Sequence, residues 1–228
     1  IDRQYMIDTI FFGYGKPATS ALSTNFKPTG LYASMPNYPA RGDIASAKAL
    51  LDSAGIKPDA NGVRIRAILD LIPYGEDWRR AGEYLKQVLG DIGIKLELRY
   101  EDVPTWLKRI YHNYDFVMNV NYFYQLPDPV LGVHRHYGTD QIRKGTHFVN
   151  SSRYSNSELD ELLASGATEA NAQKRTQIYK KIQEILARDM PVVNLFELQF
   201  LTVYNTKLKG AYNSALGAYA SFSEAYLD

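Results

Sequence analysis

The chain has 228 residues, of which 45% are hydrophobic and 22% are charged, a composition typical of a globular protein with a sizeable buried core. Its 26 Lys and Arg residues nearly balance 25 Asp and Glu residues, so the net charge of +1 gives no reason to expect nucleic acid or an anionic membrane as a partner. There is no cysteine, which excludes disulfides, thiolate metal sites and a cysteine nucleophile.

The first third of the chain contains two predicted helices separated by an irregular segment. Apolar side chains over residues 1–12 are spaced as on a helix with a broad buried face. From Lys16 to Gly42 prolines, glycines and small polar residues predict a long irregular connection. Asp43 is a typical helix cap, and the helix that it begins ends at Gly55. The predicted buried face of this helix consists of Ala47, Leu50, Leu51 and Ala54.

The clearest architectural pattern lies between residues 63 and 120. Val63–Leu71 alternates apolar with polar side chains, which predicts a strand with one face buried. A helix that ends at Gly93 leads to a second alternating strand, Ile94–Tyr100. A helix capped by Asp102 then leads to the apolar strand Phe116–Val120. This β-α-β-α-β order predicts an α/β fold, a mixed sheet flanked by helices.

Helices dominate the last third of the chain. Ser155 and Glu158 form a capping box for one helix, and Asn171 caps a longer helix that ends near Arg188. Two strands are predicted after Pro191, over residues 192–195 and 198–204, whereas the last 24 residues have no readable pattern.

No apolar run approaches the roughly 20 residues that cross a bilayer. Because the chain begins without Met or a signal peptide, we interpret it as a mature chain or a piece of a longer one.

Motifs for catalysis are absent from the sequence. It has no Gly-x-Ser-x-Gly elbow, no phosphate-binding glycine loop and no His-Glu-x-x-His motif. His134, His136 and His147 are the candidate metal ligands, but no carboxylate lies at ligand spacing and Arg135 disfavours a cation. We therefore predict no catalytic residue, no metal and no cofactor.

Aromatic residues follow the third strand. Phe116–Val120 is succeeded by Tyr122, Phe123 and Tyr124 and then by a Pro-Asp-Pro corner at residues 127–129. Asp77 to Arg80 lies close to Tyr74, after the first strand of the predicted sheet. Ligands of open α/β sheets bind at the carboxyl ends of the strands. Both features are compatible with a ligand surface, but an ordinary strand end and a capped helix start are the simpler interpretations.

Several short motifs occur in a familiar order over nearly the whole chain. They are Ile1-Asp2-Arg3, Phe12 to Ser20, Ala47 to Gly55, Leu89 to Lys95, Tyr114-Asp115, Asp128-Pro129, Tyr154 to Asp160 and Asp189-Met190-Pro191. Together they resemble the signatures of the family 5 extracellular solute-binding proteins, the peptide, oligopeptide and nickel receptors of bacterial ABC importers.

This resemblance implies a type II periplasmic-binding-protein-like fold and a binding function without chemistry. Such receptors are periplasmic or otherwise extracytoplasmic, close two α/β lobes on a peptide or other small solute, and deliver it to an ABC permease. Residues 1–228 are similar to the second lobe alone, as a single α/β lobe without the first. The implied protein is a monomer with no nucleic-acid partner.

The resemblance also implies where the solute binds. In peptide-binding members a Trp stands at the position of Tyr122, and an Asp that pairs with the α-ammonium of the ligand stands at the position of Gln125. The implied ligand-facing residues are Tyr122, Gln125, Asn119 and Asn150, whereas Asp128 is expected to accept a backbone hydrogen bond in its own turn. A neutral amide cannot replace a carboxylate as counter-ion, so the usual anchoring of a free peptide amine is not expected here.

Three alternatives remain open at this point. The solute is a peptide held in another way, or an oligosaccharide or other non-peptide molecule. A signalling receptor of the same fold has the same sequence features. A hydrolase that uses Asp128 and Glu197 is the alternative from another class, and it requires two acids within roughly 5 to 10 Å in a cleft.

Overall fold

The computed structural model describes residues 1–35, 40–211, 219 and 221–228. It divides the chain into two compact units, Ile1–Glu197 and Leu198–Asp228. The predicted irregular segment from Lys16 to Gly42 includes residues 36–39, which lie outside the described residues.

The first unit begins with a short helix α1 (Arg3–Tyr5), which continues as π-helical turns over Met6–Ile10. Strand β1 (Gly15–Pro17) and a 3-10 helix over Thr24–Thr29 follow. The predicted first helix is therefore confirmed in outline, and its buried side chains include Met6 and Ile7. The segment predicted to be irregular contains the short β1 and the 3-10 helix.

Helix α2 (Ile44–Ser53) begins as predicted, because the carboxylate of Asp43 accepts a hydrogen bond of 3.0 Å from the backbone N–H of Ser46. Its predicted buried face is wrong. No residue of α2 is buried, and Leu50 is 70% exposed. The spacing of apolar residues shows that a helix has two unlike faces, but it does not show whether another element covers the apolar one.

The β-α-β-α-β unit is confirmed. Strands β2 (Ile65–Leu71), β3 (Ile94–Arg99) and β4 (Met118–Val120) form a parallel sheet in the order β3-β2-β4. Helix α3 (Glu76–Gly90) connects β2 to β3. Helix α4 (Val103–Leu107), extended by π-helical turns over Lys108–Asn113, connects β3 to β4.

Close packing joins α3 to the sheet. A methyl group added to Gly82 would lie 2.3 Å from Cδ1 of Leu71, so the glycine lets the helix approach β2 directly. The buried apolar side chains of the sheet and of its two helices include Leu69, Leu71, Ala81, Leu85, Leu96, Trp106 and Ile110. A leucine or isoleucine side chain among them contributes about 1.5–3 kcal/mol when it is fully buried.

Three helices form the other part of the first unit: α5 (Val133–Tyr137), α6 (Ser157–Thr168) and α7 (Ala172–Asp189). The predicted capping box is displaced by one residue, because Asn156 rather than Ser155 caps α6 and accepts a hydrogen bond of 3.1 Å from the N–H of Leu159. The helices share a second core with the segment around the 3-10 helix, and it contains Leu22, Phe26, Leu31, Val133, Leu159, Leu163, Tyr179 and Ile182.

Strand β5 (Phe196–Leu198) pairs with β1, so the strand predicted over residues 192–195 forms slightly later in the chain. In the second unit β6 (Leu208–Lys209) pairs antiparallel with β7 (Tyr226–Leu227). The strand predicted over residues 198–204 is wrong beyond Leu198, since a strand needs a hydrogen-bonded neighbour and the described residues supply none there.

Among the described helices, none combines the length and apolar character needed to span a membrane.

Candidate ligand-binding site

Four aromatic side chains meet at the carboxyl ends of the parallel strands. Tyr74 follows β2, Trp78 lies in the first turn of α3, and Tyr122 and Tyr124 follow β4. The ring of Tyr122 stacks on Trp78 with 5.6 Å between centroids and 19° between planes. Tyr122 also meets Tyr74 and Tyr124 edge to face, at 5.8 and 5.6 Å. We call these four residues the aromatic cluster.

The aromatic cluster has a buried base and an accessible rim. Trp78 is 8% exposed and packs edge to face on Phe11 at 5.4 Å, whereas Tyr74 and Tyr124 are exposed and Tyr122 is half-buried. Tyrosine offers an apolar ring face and a hydroxyl that forms hydrogen bonds. The rim therefore presents a firmly supported surface at the edge of the sheet where ligands of open α/β folds bind.

Gln125 is half-buried, and it braces the segment that follows β4. Its Oε1 accepts a hydrogen bond of 2.7 Å from the backbone N–H of Ser23, and its Nε2 donates one of 2.6 Å to the carbonyl of Ala21. A glutamine amide can donate twice and accept twice. One donor and one acceptor position therefore remain beyond these two bonds, and ligand contact by Gln125 stays a prediction.

Glu197 binds Ser23 and Thr24, and Ser23 is also a partner of Gln125. Oε1 of Glu197 accepts from the backbone N–H of Thr24, and its Oε2 accepts from the hydroxyls of Ser23 and Thr24, all at 2.9 Å. Lys16 lies 3.5 Å from Oε2. The carboxylate is therefore balanced by a cation and by three hydrogen bonds. The sequence indicates Glu197 only as a possible hydrolytic acid, and its bracing role is not readable there because Ser23 and Thr24 lie more than 170 residues away.

The two candidate asparagines differ in position. Asn119 is half-buried on β4 and lies opposite Asp70 of β2, so both side chains point to the same face of the sheet. Asn150 is 1% exposed. Its Nδ2 donates to three backbone carbonyls at 2.8–3.3 Å and its Oδ1 accepts from the hydroxyl of Ser152; the carbonyls belong to Tyr137, Gly138 and Tyr154. Asn150 thus holds a turn together, and we do not keep it among the ligand-facing residues.

Asp128 performs the structural role expected from the sequence. Its Oδ1 accepts a hydrogen bond of 2.9 Å from the N–H of Val130 in its own turn. Both carboxylate oxygens also accept from Nη2 of Arg175 at 2.8 Å, and Nε of that arginine donates to the carbonyl of Gly166. No sequence pattern indicates Arg175 as a partner, because it lies 47 residues further along the chain. Asp128 and Glu197, the two acids considered for hydrolysis, are thus each held by their own partners.

The three histidines considered as metal ligands do not converge. His136 is buried against Phe123, and this burial, with a smaller effect of the Arg135 charge, lowers its pKa to about 3. Nε2 of His134 lies 3.0 Å from Oδ1 of Asp140. His147 faces His112 instead. Within the described ranges no three or more His, Cys, Asp or Glu side chains are grouped so as to hold a metal ion.

A buried charge network lies next to Asn119. The alternation of β2 predicted that Asp70 faces solvent, but it is completely buried. Nη1 of Arg99 and Nε of Arg109 lie 3.4 and 3.7 Å from its Oδ1. Burial raises the pKa of Asp70 to about 6, although both guanidiniums lower it. The prediction failed because alternation shows that a strand has two faces, while the packing of α4 decides that the second face is covered as well.

The sequence profile of the bacterial extracellular solute-binding proteins, family 5 Middle, matches residues 1–143. The chain belongs to this family. Family 5 membership agrees with the α/β architecture and confirms the resemblance seen in the sequence motifs. The solved structures to which the chain is similar are type II periplasmic binding proteins.

Several known proteins similar to this family 5 chain are named as binding proteins. Di/tripeptide-binding protein 3 of Pseudomonas aeruginosa is 22% identical over 220 residues, which cover 96% of the chain and 39% of that protein. The chain thus spans about two fifths of the length of this relative.

Two solved structures share the fold and contain different ligands. The oligopeptide-binding protein AppA from Bacillus subtilis, in complex with a nonapeptide, has a TM-score of 0.74 and 19% identity, and the match covers 100% of the chain and 45% of AppA. A periplasmic oligopeptide-binding protein from Thermotoga maritima with mannohexaose bound has a TM-score of 0.70 and 21% identity, covering 87% of the chain and 39% of that protein.

Proposed function

We propose that this chain is the second α/β lobe of the substrate-binding component of an ABC importer. In this proposal the complete protein is an extracytoplasmic monomer that captures a peptide or peptide-like solute between two lobes and delivers it to a membrane permease. The match of residues 1–143 to family 5 is the observation that carries the proposal. Several relatives are named as binding proteins, which supports a function without catalysis.

The aromatic cluster is the proposed solute-facing surface of this lobe. Its rim is accessible, Trp78 supports it from below, and it lies at the sheet edge where α/β folds bind ligands. Tyr122 supplies a stacking surface, Gln125 a remaining donor and acceptor, and Asn119 a polar group on the neighbouring strand end. Stacking on aromatic faces does not require a charged ligand, which agrees with a neutral residue at position 125.

The absence of a carboxylate at position 125 distinguishes solutes that need a counter-ion there from solutes that do not. A peptide anchored by its free ammonium needs a counter-ion there, whereas a blocked peptide or a sugar does not. Oligosaccharides present apolar ring faces and hydroxyls, which match the faces and hydroxyls of the tyrosine rim. An oligosaccharide is therefore the second candidate solute, and the mannohexaose complex of a protein with the same fold supports it.

Isothermal titration calorimetry with the full-length gene product tests the proposal. We expect an oligopeptide and its N-acetylated form to bind with dissociation constants within about threefold of each other, because Gln125 supplies no charge. Binding of an oligosaccharide alone would favour the second candidate. A loss of more than about tenfold on acetylation would contradict the proposed neutral anchoring.

Variants connect the measured binding to the aromatic cluster. Tyr122→Ala removes the ring that contacts the other three members, and we expect it to weaken solute binding at least tenfold. Tyr219→Ala, a variant of an 86% exposed tyrosine in the second unit, is the matched control and should bind as the unmodified protein does. If Tyr122→Ala binds the solute as tightly as Tyr219→Ala does, the solute does not contact the aromatic cluster.

A further inference from the structure

Two imidazoles face each other across the surface of the first unit. His112 is exposed in the π-helical turns Lys108–Asn113, and His147 is half-buried in the loop before Val149. Their Nε2 atoms are 3.4 Å apart, and their ring centroids are 5.5 Å apart. Neither histidine belongs to the aromatic cluster or to the residues proposed to contact the solute.

The surroundings fix the direction of both rings. Tyr111 is fully buried, its ring centroid lies 5.8 Å from that of His147, and its carbonyl accepts a hydrogen bond of 2.8 Å from the N–H of Gly145. A methyl group added to Gly145 would lie 3.4 Å from Cε1 of His112, so the loop runs directly against that ring. Arg135 holds the loop by donating to the carbonyl of His147. The two nitrogens are therefore brought together before any ligand binds.

Their separation fits the coordination geometry of a small divalent cation. Imidazole nitrogens lie about 2.0–2.1 Å from zinc, and two nitrogens of a tetrahedral ion are then about 3.3–3.4 Å apart. The observed distance is 3.4 Å. A hydrogen bond between the two nitrogens would be longer than the usual 2.7–3.2 Å. The two nitrogens are thus at the long end of hydrogen-bonding distance, and the same separation fits a shared metal ion.

We propose that His112 and His147 form a two-histidine site for a divalent transition-metal ion that accepts imidazole, namely Zn²⁺, Ni²⁺ or Cu²⁺. Water completes the coordination, since no third His, Cys, Asp or Glu joins the pair among the residues that the structure describes. The nearby positive charge of Arg135 opposes a cation, although its guanidinium donates to the carbonyl of His147. Having only two protein ligands and a positive charge nearby predicts weaker binding than in a closed site with four protein ligands.

Titration of the untagged protein with ZnCl₂ and NiCl₂ at pH 7.5, followed by calorimetry, tests the site. We expect one ion per chain for the unmodified protein and at least a tenfold loss of affinity in His112→Ala and in His147→Ala. His134→Ala removes a histidine that contacts Asp140 instead, and it should leave the affinity unchanged. Circular dichroism of each variant confirms that the fold is kept.

Proton competition provides a second measurement. Protons compete with a metal ion for the imidazole nitrogens, so the affinity should fall when the pH is lowered from 7.5 to 5.5. The absence of saturable binding would overturn the proposal. Binding that survives in both His112→Ala and His147→Ala would also overturn it, because the ion would then lie at another position. Solute binding does not enter either measurement.

Discussion

The indole of Trp78 and the phenol ring of Tyr122 stack with their planes 19° apart, and this contact joins the start of α3 to the end of β4. Two connections that leave the sheet at neighbouring strands are thereby fixed to each other. The contact is also the foundation of the accessible tyrosine rim, because Trp78 itself is almost completely buried. Stability and solute binding should therefore both depend on it.

Trp78→Ala should lower the free energy of unfolding by about 3–5 kcal/mol, because it removes a buried aromatic side chain and leaves a cavity. Urea denaturation followed by circular dichroism measures this change. Trp78→Phe keeps an aromatic ring under Tyr122, so its free energy of unfolding should fall clearly less than that of Trp78→Ala. A loss below about 1 kcal/mol for the alanine variant would show that the indole does not support the aromatic cluster.

Gln125→Asp should change both stability and solute preference. The carboxylate cannot donate to the carbonyl of Ala21 and is one methylene shorter, so we expect a loss of about 1–3 kcal/mol in unfolding free energy. It also places a negative charge at the position where the family resemblance implies an ammonium-binding Asp in peptide-binding members. Calorimetry should then show preference for a peptide with a free amino terminus over its acetylated form.

Gln125→Asn is the matched control for that experiment, since it shortens the side chain to the same length without adding a charge. It should reduce stability by a similar amount and leave the ratio of the two peptide affinities unchanged. If the aspartate variant binds both peptides with an unchanged ratio, the side chain at position 125 does not face the solute.

Asp70 should make stability depend on pH. Its pKa is raised from 3.8 to about 6 in the folded protein, so the folded state keeps a proton that the unfolded state releases. The contribution of Asp70 to stability is therefore largest below pH 4, falls as the pH rises from about 4 to 6, and is constant above that range. One unit of pKa shift corresponds to about 1.4 kcal/mol.

Asp70→Asn stays neutral at every pH and should remove this decrease between pH 4 and 6. The difference in unfolding free energy between variant and unmodified protein, measured by urea denaturation at four pH values, isolates the effect of this single group. Asp115→Asn is the control, because that carboxylate pairs with Arg109 but is exposed. If the unfolding free energy of Asp70→Asn falls between pH 4 and 6 as much as that of the unmodified protein, other carboxylates cause the decrease.

Asn150→Ala should destabilise the protein without a direct effect on the solute. The variant leaves the buried carbonyls that accept from Nδ2 without that donor, and we expect a loss of about 2–4 kcal/mol. Thermal unfolding measures it, with Asn61→Ala on the exposed turn before β2 as the control. Near-normal solute affinity in the folded variant is expected, and a selective loss of affinity at unchanged stability would return Asn150 to the binding site.

Local sequence patterns determined most of the first unit. Alternation between Val63 and Leu71 and between Ile94 and Tyr100, with helical spacing between them, predicted the β-α-β-α-β unit that the structure contains. Asp43, Asp102 and Asn171 were also identified correctly as helix caps. These features are readable because the interactions that define them lie within a few residues of one another.

Contacts between distant segments decided the rest. The partners of Gln125 lie 102 and 104 residues away, and nothing in its own neighbourhood predicts them. Packing also decided that Asp70 is buried and that Leu50 is not, although both belong to correctly predicted elements. Periodicity tells which side chains share a face, whereas burial and hydrogen bonding depend on the element that covers that face. The sequence therefore determined the order of strands and helices, and the tertiary structure alone brought together the aromatic cluster and the facing pair His112 and His147.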